Sequence, residues 1–284
     1  MQLIDKHLME TLIFLGPPIA ISVILSLILA YFGNHILSRG IIFIDIAVAQ
    51  VAALGTMIGL LLGFAEGSLT LELSSYVFTI IVIGIFAATK FTEQKVPQEA
   101  YIGIIYCLGL GLALLLAEKI NGGSNFISKT ITGNLLWTTW KDVLVSLAMF
   151  SVIGVIHILG QKSFRSISMN NSNNYSIRKA RLYDMLFYMT FGIVIVKAVP
   201  IGGVFLVFIL LIAPAASITL FTNNWKKRLV GSWILGSAGS ITGILISHGL
   251  NISNGPAIVC LLGILTVALT FVVILRKEPQ SIKK

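Results

Sequence analysis

Residues 183–222 read "YDMLFYMTFGIVIVKAVPIGGVFLVFILLIAPAASITLFT", and this stretch decides the fold. Asp184 and Lys197 are its only charged residues. Because a helix needs about 20 consecutive apolar residues to cross a membrane, the stretch is long enough for two crossings, which we place at 183–199 and 202–222. Only "PIGG" separates them. The sequence therefore predicts two membrane helices joined by a tight turn.

The composition of the whole chain indicates the same class of protein. Its 284 residues are 56% hydrophobic and 11% charged, whereas a soluble domain has about 25% charged residues. The apolar runs are long and do not alternate with polar residues, which favours helices over barrel strands. We therefore expect an all-α, polytopic membrane helical bundle. The two cysteines, Cys107 and Cys260, fall inside apolar runs, and we expect buried free thiols.

The length criterion predicts about nine transmembrane helices. They run over roughly 11–32, 41–63, 75–90, 100–117, 143–160, 183–199, 202–222, 230–249 and 256–275, the third and fourth being short. With the N-terminus outside, 15 of the 20 Lys and Arg residues fall in inner segments, as expected for cytoplasmic loops. The net charge of +9 is thus explained without nucleic acid. We expect a multi-pass protein of the plasma (inner) membrane, with its N-terminus outside and its C-terminus cytoplasmic.

Two loops differ from simple linkers. The outer segment 118–142 is too polar to span, and its Trp137 and Trp140 are typical of anchors at the membrane interface. The inner segment 161–182 carries five basic residues, which positive-inside charge alone explains. It also carries apolar residues that a solvated linker would not need, and these leave a docking surface open as a second interpretation. They are Phe164, Ile167, Met169, Tyr175 and Ile177.

The second predicted helix contains Asp45 and Gln50 among apolar residues. A carboxylate at the centre of a membrane helix is unfavourable by roughly 2.5–3.5 kcal/mol on insertion scales. Asp45 either reaches the inner interface, where Arg39 is a candidate partner, or belongs to a polar face that lines a translocation path. A spacing of five residues separates the two side chains by about 140° around the helix. Gly55, Gly59 and Gly63 recur every four residues, a pattern that favours close helix packing.

Two further residues are candidates for the pathway. Pro214 lies in the middle of the seventh predicted span, where a proline kinks a helix and frees a carbonyl group. His248 ends the eighth span and is either a cation ligand or a structural, hydrogen-bonded histidine. The sequence contains no phosphate-binding P-loop and no hydrolase motif. We therefore predict no catalytic residues and no cofactor, and any ATP hydrolysis would reside in a separate ATPase subunit.

Four segments carry a resemblance to a known family. In chain order they are "SRGIIFIDIAVAQVAALGTMIG", "TGNLLW", "RLYDMLFYMTFGIVIVKAVPIGGVFLVFILLIAPAASITLF" and "GILISHGLNISNGPAIVCLLGILT". The chain resembles the permeases of zinc/manganese-type ABC transporters over nearly its whole length. The most specific segment is "VPIGGVFLVFILLIAPAAS". The resemblance implies that residues 1–284 form one transmembrane permease domain with the bundle of type II ABC importers.

The resemblance also implies partners and a substrate. It implies a permease dimer, cytosolic ATP-binding subunits and an extracytoplasmic solute-binding protein, with the loop at 161–182 in the position of the coupling helix that seats in the ATPase. The substrate would be a divalent metal cation such as zinc or manganese. The family's second helix has an Asp and a His four residues apart as proposed metal ligands; here Ile46 and Gln50 occupy those positions. The family's acidic position after the eighth span is Asn251.

These departures predict a weaker metal site, another cation or a different substrate, because an amide is a poorer ligand for transition metals than imidazole. Asp45, one residue from the family position, is the remaining metal-ligand candidate. Two other classes stay open from the residues alone. A secondary transporter would need intramembrane coupling charges and often an internal repeat, and a membrane scaffold would not transport at all. An associated ATPase would support the ABC permease and count against both.

Overall fold

The computed structural model describes residues 2–89, 96–169 and 176–276, and every regular element within these ranges is helical. The helices are α1 (Gln2–Arg39), α2 (Ile44–Leu61), α3 (Leu69–Thr89), α4 (Gln98–Ala117), α5 (Gly123–Thr132), α6 (Trp140–Leu159), α7 (Gln161–Ser168), α8 (Ile177–Thr219), α9 (Trp225–Leu250) and α10 (Asn254–Arg276), with a 3₁₀ turn at Leu135–Trp137 between α5 and α6. Eight of these helices are long and apolar enough to cross a membrane. The all-α membrane bundle predicted from composition is confirmed.

Helix α8 contains two of the predicted spans. It has 43 residues, and Gly203 inside it has the non-helical angles φ 80° and ψ 159°. Phe187 and Leu211 both contact neighbouring residues of α1: the Phe187 ring lies 5.4 Å from that of Phe32, and the Leu211 carbonyl packs against Gly33. A straight helix would hold Phe187 and Leu211 about 36 Å apart. The helix therefore folds back on itself near Gly203, and the described chain makes nine crossings, as predicted.

The turn in α8 rests on the end of α5. The backbone N–H of Asn134 donates a hydrogen bond to the carbonyl of Ile201 at 2.9 Å. Gly133 and Gly203 both have positive φ, and a Cβ on either would collide with the backbone of the other segment. Two glycines thus allow backbone to pack on backbone. This contact places the short helix α5 beside the α8 turn.

The structure corrects the third and fourth spans, which were expected to be short. α3 begins at Leu69 rather than residue 75, and α4 begins at Gln98. The extra turn of α3 includes the charged Glu72, whose carboxylate is paired with Lys197. The pairing makes a charged residue acceptable in a membrane helix, which composition alone did not indicate.

Helix packing follows the predicted rows of small residues. Gly55 and Gly59 lie directly against α3, and the Ser74 hydroxyl donates to the Gly55 carbonyl at 2.5 Å. Gly63 is not part of this contact, because α2 has already ended. The expectation that the cysteines are buried is wrong: Cys107 and Cys260 are free but exposed, because they lie on the faces of α4 and α10 that point away from the core.

Candidate substrate pathway

A cavity of about 460 Å³ lies between α2, α3, α5, the start of α6 and the first leg of α8. Its wall on α2 consists of small side chains, Ala49, Ala52, Ala53 and Thr56. Small residues on a packed helix leave room that larger ones would fill. Hydroxyl and amide groups from the other elements also line the cavity, and the α8 turn, with Pro200 and Ile201, lies at its rim. Such a mixed polar and apolar cavity inside a membrane bundle is suited to a transported solute.

Four charged side chains line this cavity: Glu72, Lys129, Asp142 and Lys197. The Lys197 ammonium lies 3.5 Å from a carboxylate oxygen of Glu72. Asp142 accepts hydrogen bonds from the backbone and hydroxyl of Thr139, in a capping box that begins α6. Two carboxylates and two ammonium groups therefore balance in the cavity wall. The sequence did not indicate that these four side chains converge.

Gln50 lies behind the wall of this cavity. Its side chain is buried and lines a separate void of about 10 Å³. Ala53, Phe126 and Thr130 line both spaces, so these three side chains separate the void from the cavity. The void is about the size of one water molecule. Gln50 is thus adjacent to the larger cavity but closed off from it.

Asp45 is more completely buried than Gln50. It is 1% exposed, and within the described residues its Oδ1 atom has no hydrogen-bond partner. It occupies the first turn of α2, where the helix dipole favours a carboxylate. The suggested pairing with Arg39 is wrong, because Arg39 instead forms an ion pair with Asp184 at 2.7 Å. Asp45 does not line the cavity, and its role as a metal ligand stays a prediction.

Pro214 and His248 also lie away from the cavity. Pro214 is buried where the second leg of α8 packs on α9, and its carbonyl accepts a hydrogen bond from Ser232 at 3.3 Å. His248 is exposed near the end of α9, and its carbonyl accepts the N–H of Asn251. In this conformation neither side chain is on the path that the cavity defines. Their roles in transport stay predictions.

The described residues do not gather into a metal cluster of the usual kind. Within the described ranges, no group of three His, Cys, Asp or Glu side chains is close enough to hold an ion. The groups of the cavity that could meet a transported cation are the carboxylates of Glu72 and Asp142 together with hydroxyl and amide oxygens. Oxygen ligands suit hard divalent ions, and manganese more than zinc.

At the opposite end of the bundle, α7 is held down by its apolar residues. Phe164 is 1% exposed and stacks on His157 with ring centres 4.2 Å apart, and Ile167 is also buried. These two side chains therefore anchor α7 rather than face a partner, which corrects their assignment to the docking surface. The exposed residues of α7 and its end are Gln161, Lys162, Arg165 and Met169. Ile177 begins α8, and Tyr175 lies outside the described residues.

A buried polar network, which the sequence did not indicate, connects α7 to the bundle. The Ser168 hydroxyl lies 2.9 Å from both His35 Nδ1 and Arg39 Nε. Arg39 also pairs with Asp184 of α8 and lies over the Phe187 ring at 3.8 Å. The rule that made Asp45 a candidate, an ionisable residue within an apolar run, would also have identified Asp184 and Lys197.

Comparison with known proteins agrees with this geometry. The sequence profile of the ABC 3 transport family matches residues 12–274. The manganese import system permease protein ScaB of Streptococcus parasanguinis is 25% identical over 281 residues, covering 95% of this chain and 92% of that protein. A probable iron transport system membrane protein of Haemophilus influenzae is 26% identical over 191 residues, covering 66% of this chain and 67% of that protein.

One solved structure shows the same fold. PsaBC from Streptococcus pneumoniae, in complex with Fab, superposes with a TM-score of 0.77 at 19% identity, covering 94% of this chain and 96% of that chain. The described residues form a polytopic membrane bundle of nine crossings around a charged cavity, and the family match makes the chain a membrane permease, a protein of transport rather than catalysis. Because the family match extends over residues 12–274, most of the chain, this chain belongs to the ABC 3 transport family. The resemblance found in the sequence is confirmed.

Proposed function

We propose that this chain is the membrane-spanning permease subunit of an ABC importer for a divalent metal cation, manganese or zinc. The observation that carries the proposal is the family match over residues 12–274, together with relatives named for manganese and iron transport. The cavity supports it, because its oxygen-bearing side chains include two carboxylates. Manganese accepts such ligands more readily than zinc, so we place manganese first.

The uptake of radioactive manganese and zinc tests the substrate. Cells that lack this chain should accumulate less of the transported metal, and re-expression should restore it. Competition with unlabelled manganese, zinc, iron and magnesium ranks the ions. Unchanged metal content in cells without the chain would contradict the proposal.

The proposed complex contains a cytosolic ATP-binding subunit, a second copy of this permease and an extracytoplasmic solute-binding protein. In the proposed orientation, with the N-terminus outside, the ATPase meets α7 and the binding protein meets the side of α5. The support at the cytosolic side is that α7 is fixed to the bundle while Lys162 and Arg165 remain exposed. ATP hydrolysis takes place in the partner, and residues 1–284 act as a single permease domain.

Charge reversal on α7 tests the docking surface. Lys162→Glu with Arg165→Glu should weaken co-purification of the ATPase while leaving the permease inserted, because an interface does not tolerate reversed charge. Lys119→Glu, an exposed lysine far along the chain on the proposed outer side, is the matched control. Undiminished co-purification of the reversed variant would remove α7 from the interface. A permease that purifies without any ATPase would favour a secondary transporter or a scaffold.

A further inference from the structure

Lys197 is the only charged residue between Asp184 and Lys226. It lies on the first leg of α8, three residues before Pro200, and its ammonium faces the cavity. An ionisable residue within a membrane helix is unfavourable in free energy, and it usually pairs with another charged or polar group. The partner here is Glu72 at 3.5 Å, and the two side chains are 26% and 41% exposed. Water and solutes in the cavity can therefore reach both groups.

The positive charge of Lys197 weakens the attraction that the carboxylates of the cavity would otherwise exert on cations. The carboxylates of Glu72 and Asp142 line the same space, and carboxylates are the groups with which proteins select cations. Lys197 pairs with Glu72 and lines the same cavity as Asp142. Together with Lys129 it brings the formal charge of the lining to zero. A cation that enters thus meets a Glu72 carboxylate that already has a counter-ion, in a lining without net formal charge.

We infer that Lys197 is a specificity-determining residue of the pathway: its ammonium is a tethered counter-cation that an incoming cation must displace from Glu72. At equal distance a divalent ion is attracted to a carboxylate twice as strongly as an ammonium group. A monovalent ion has only the same charge as the ammonium, which is always present because it is tethered. The residue therefore favours divalent over monovalent cations. The effect of Lys197 on the electrostatic potential of the cavity does not depend on which substrate is transported. Its effect on metal selection rests on the proposed function.

The field in the cavity can be measured with charged thiol reagents. In a Cys107→Ala, Cys260→Ala background, Ala53→Cys places one thiol in the cavity wall. The rates of modification by a cationic and an anionic methanethiosulfonate give a ratio that reports the local potential. Lys197→Met should raise the cationic-to-anionic ratio about tenfold, and Glu72→Gln should lower it. The double variant should return close to the parent ratio.

Two controls separate this effect from a general change of surface charge. Ser253→Cys lies on an exposed loop that does not line the cavity, and its ratio should change by less than about twofold on Lys197→Met, because solvent and salt screen distant charges. Lys119→Met should leave the ratio at Ala53→Cys within the same limit. A ratio at Ala53→Cys that does not respond to Lys197→Met would overturn the inference.

Transport of manganese tests the consequence. Lys197→Met should lower the KM for manganese and make uptake about tenfold more sensitive to sodium and potassium, since these ions no longer compete with the ammonium. Lys197→Arg keeps the charge and should therefore keep the parent's low sensitivity to sodium and potassium, whatever its rate of uptake. A merely structural lysine would instead reduce the amount of inserted protein and leave salt sensitivity unchanged; that result would overturn the inference. A parent that transports no manganese would count against the proposed substrate, while the thiol ratio would still decide the role of Lys197.

Discussion

Asp45 is one of the buried ionisable residues of the described chain whose hydrogen bonding is incomplete. Its side chain is almost fully enclosed, and Oδ1 has no hydrogen-bond partner among the described residues. Its position in the first turn of α2 explains why the helix tolerates a carboxylate, but it does not explain why the residue is acidic. A functional role for Asp45 stays a prediction, and it is motivated by the fact that an unsatisfied buried polar atom lowers stability.

We expect Asp45→Asn to keep the folded amount of permease and to reduce metal uptake at least about tenfold, a change of ~1.4 kcal/mol in the transport barrier. Asparagine has nearly the same shape, so packing is preserved while the charge is lost. Uptake per inserted molecule and the melting temperature in detergent are the two measurements. A lower melting temperature with unchanged uptake per molecule would make Asp45 a structural anchor.

Substitutions at Gln50 and Ile46 test whether the metal site of the family can be introduced into α2. Imidazole binds zinc and manganese better than an amide does, so Gln50→His should improve uptake at low metal concentration. Asp45 and residue 50 diverge by about 140° around the helix, and we therefore expect a gain of less than about threefold. Adding Ile46→Asp restores a spacing of four residues and about 40°.

The double variant should gain at least about tenfold in apparent affinity, or ~1.4 kcal/mol. Ile46→Asp alone is the control, because it adds the carboxylate without the imidazole. Uptake of labelled zinc and manganese at several concentrations is the measurement. A double variant that inserts normally but transports like the parent would show that α2 does not carry the ligands.

At the scale of the element, the turn of α8 depends on Gly203. Its φ of 80° is unfavourable for any residue with a Cβ, and that atom would collide with the backbone of Ile131 and Gly133. Gly203→Ala should lower stability by at least about 1–2 kcal/mol. Gly84→Ala is the matched control, since Gly84 lies in α3 with open space around it and alanine favours a helix. Thermal melting of the two purified variants should separate them; equal melting temperatures would contradict this account of the turn.

The Arg39–Asp184 pair joins α1 to α8 beside α7. Both side chains are almost fully buried, and removal of one partner from a buried pair leaves an uncompensated charge, typically at a cost of about 3–5 kcal/mol. We expect Arg39→Met or Asp184→Leu alone to lower the melting temperature strongly. The melting temperature of the double variant should fall by much less than the sum of the two single decreases.

The Glu72–Lys197 pair provides the comparison, because it is partly exposed. Glu72→Gln should change the stability by less than about 1 kcal/mol. The measurement is the melting curve of the two single variants at Arg39 and Asp184, of their double variant and of Glu72→Gln, all in the same detergent. Additive losses at Arg39 and Asp184 would show that the ion pair is not what couples these helices.

At the scale of the whole molecule, the two ends of α9 test the orientation of the bundle in the membrane. α9 crosses the bundle once, from Trp225 to Leu250, so exposed residues at its two ends lie on opposite sides of the membrane. A cysteine at Ser253 should react with an impermeant thiol reagent added to intact cells, and one at Lys226 should react only after the membrane is opened. The basis is the excess of Lys and Arg in the inner segments. Labelling of Lys226→Cys alone in intact cells would reverse the orientation.

Local features of the sequence were enough to predict the membrane class, the helical architecture and the tight turn at "PIGG". These follow from local properties: the length of an apolar run fixes a crossing, and proline and glycine limit where a helix continues. The family followed from the order of its motifs. The small residues of α2 also predicted close packing, because their spacing of four is set by the helix itself.

Which side chains meet depends instead on the arrangement of the helices in space. Glu72, Asp142 and Lys197 are far apart in the chain and share one cavity, while Asp45 and Gln50, close in sequence, lie outside it. Phe164 and Ile167 were expected on a surface and are buried against His157 and the bundle. The physical reason is that local sequence fixes the direction of a side chain relative to its own helix. What lies in that direction depends on how the helices are arranged around each other.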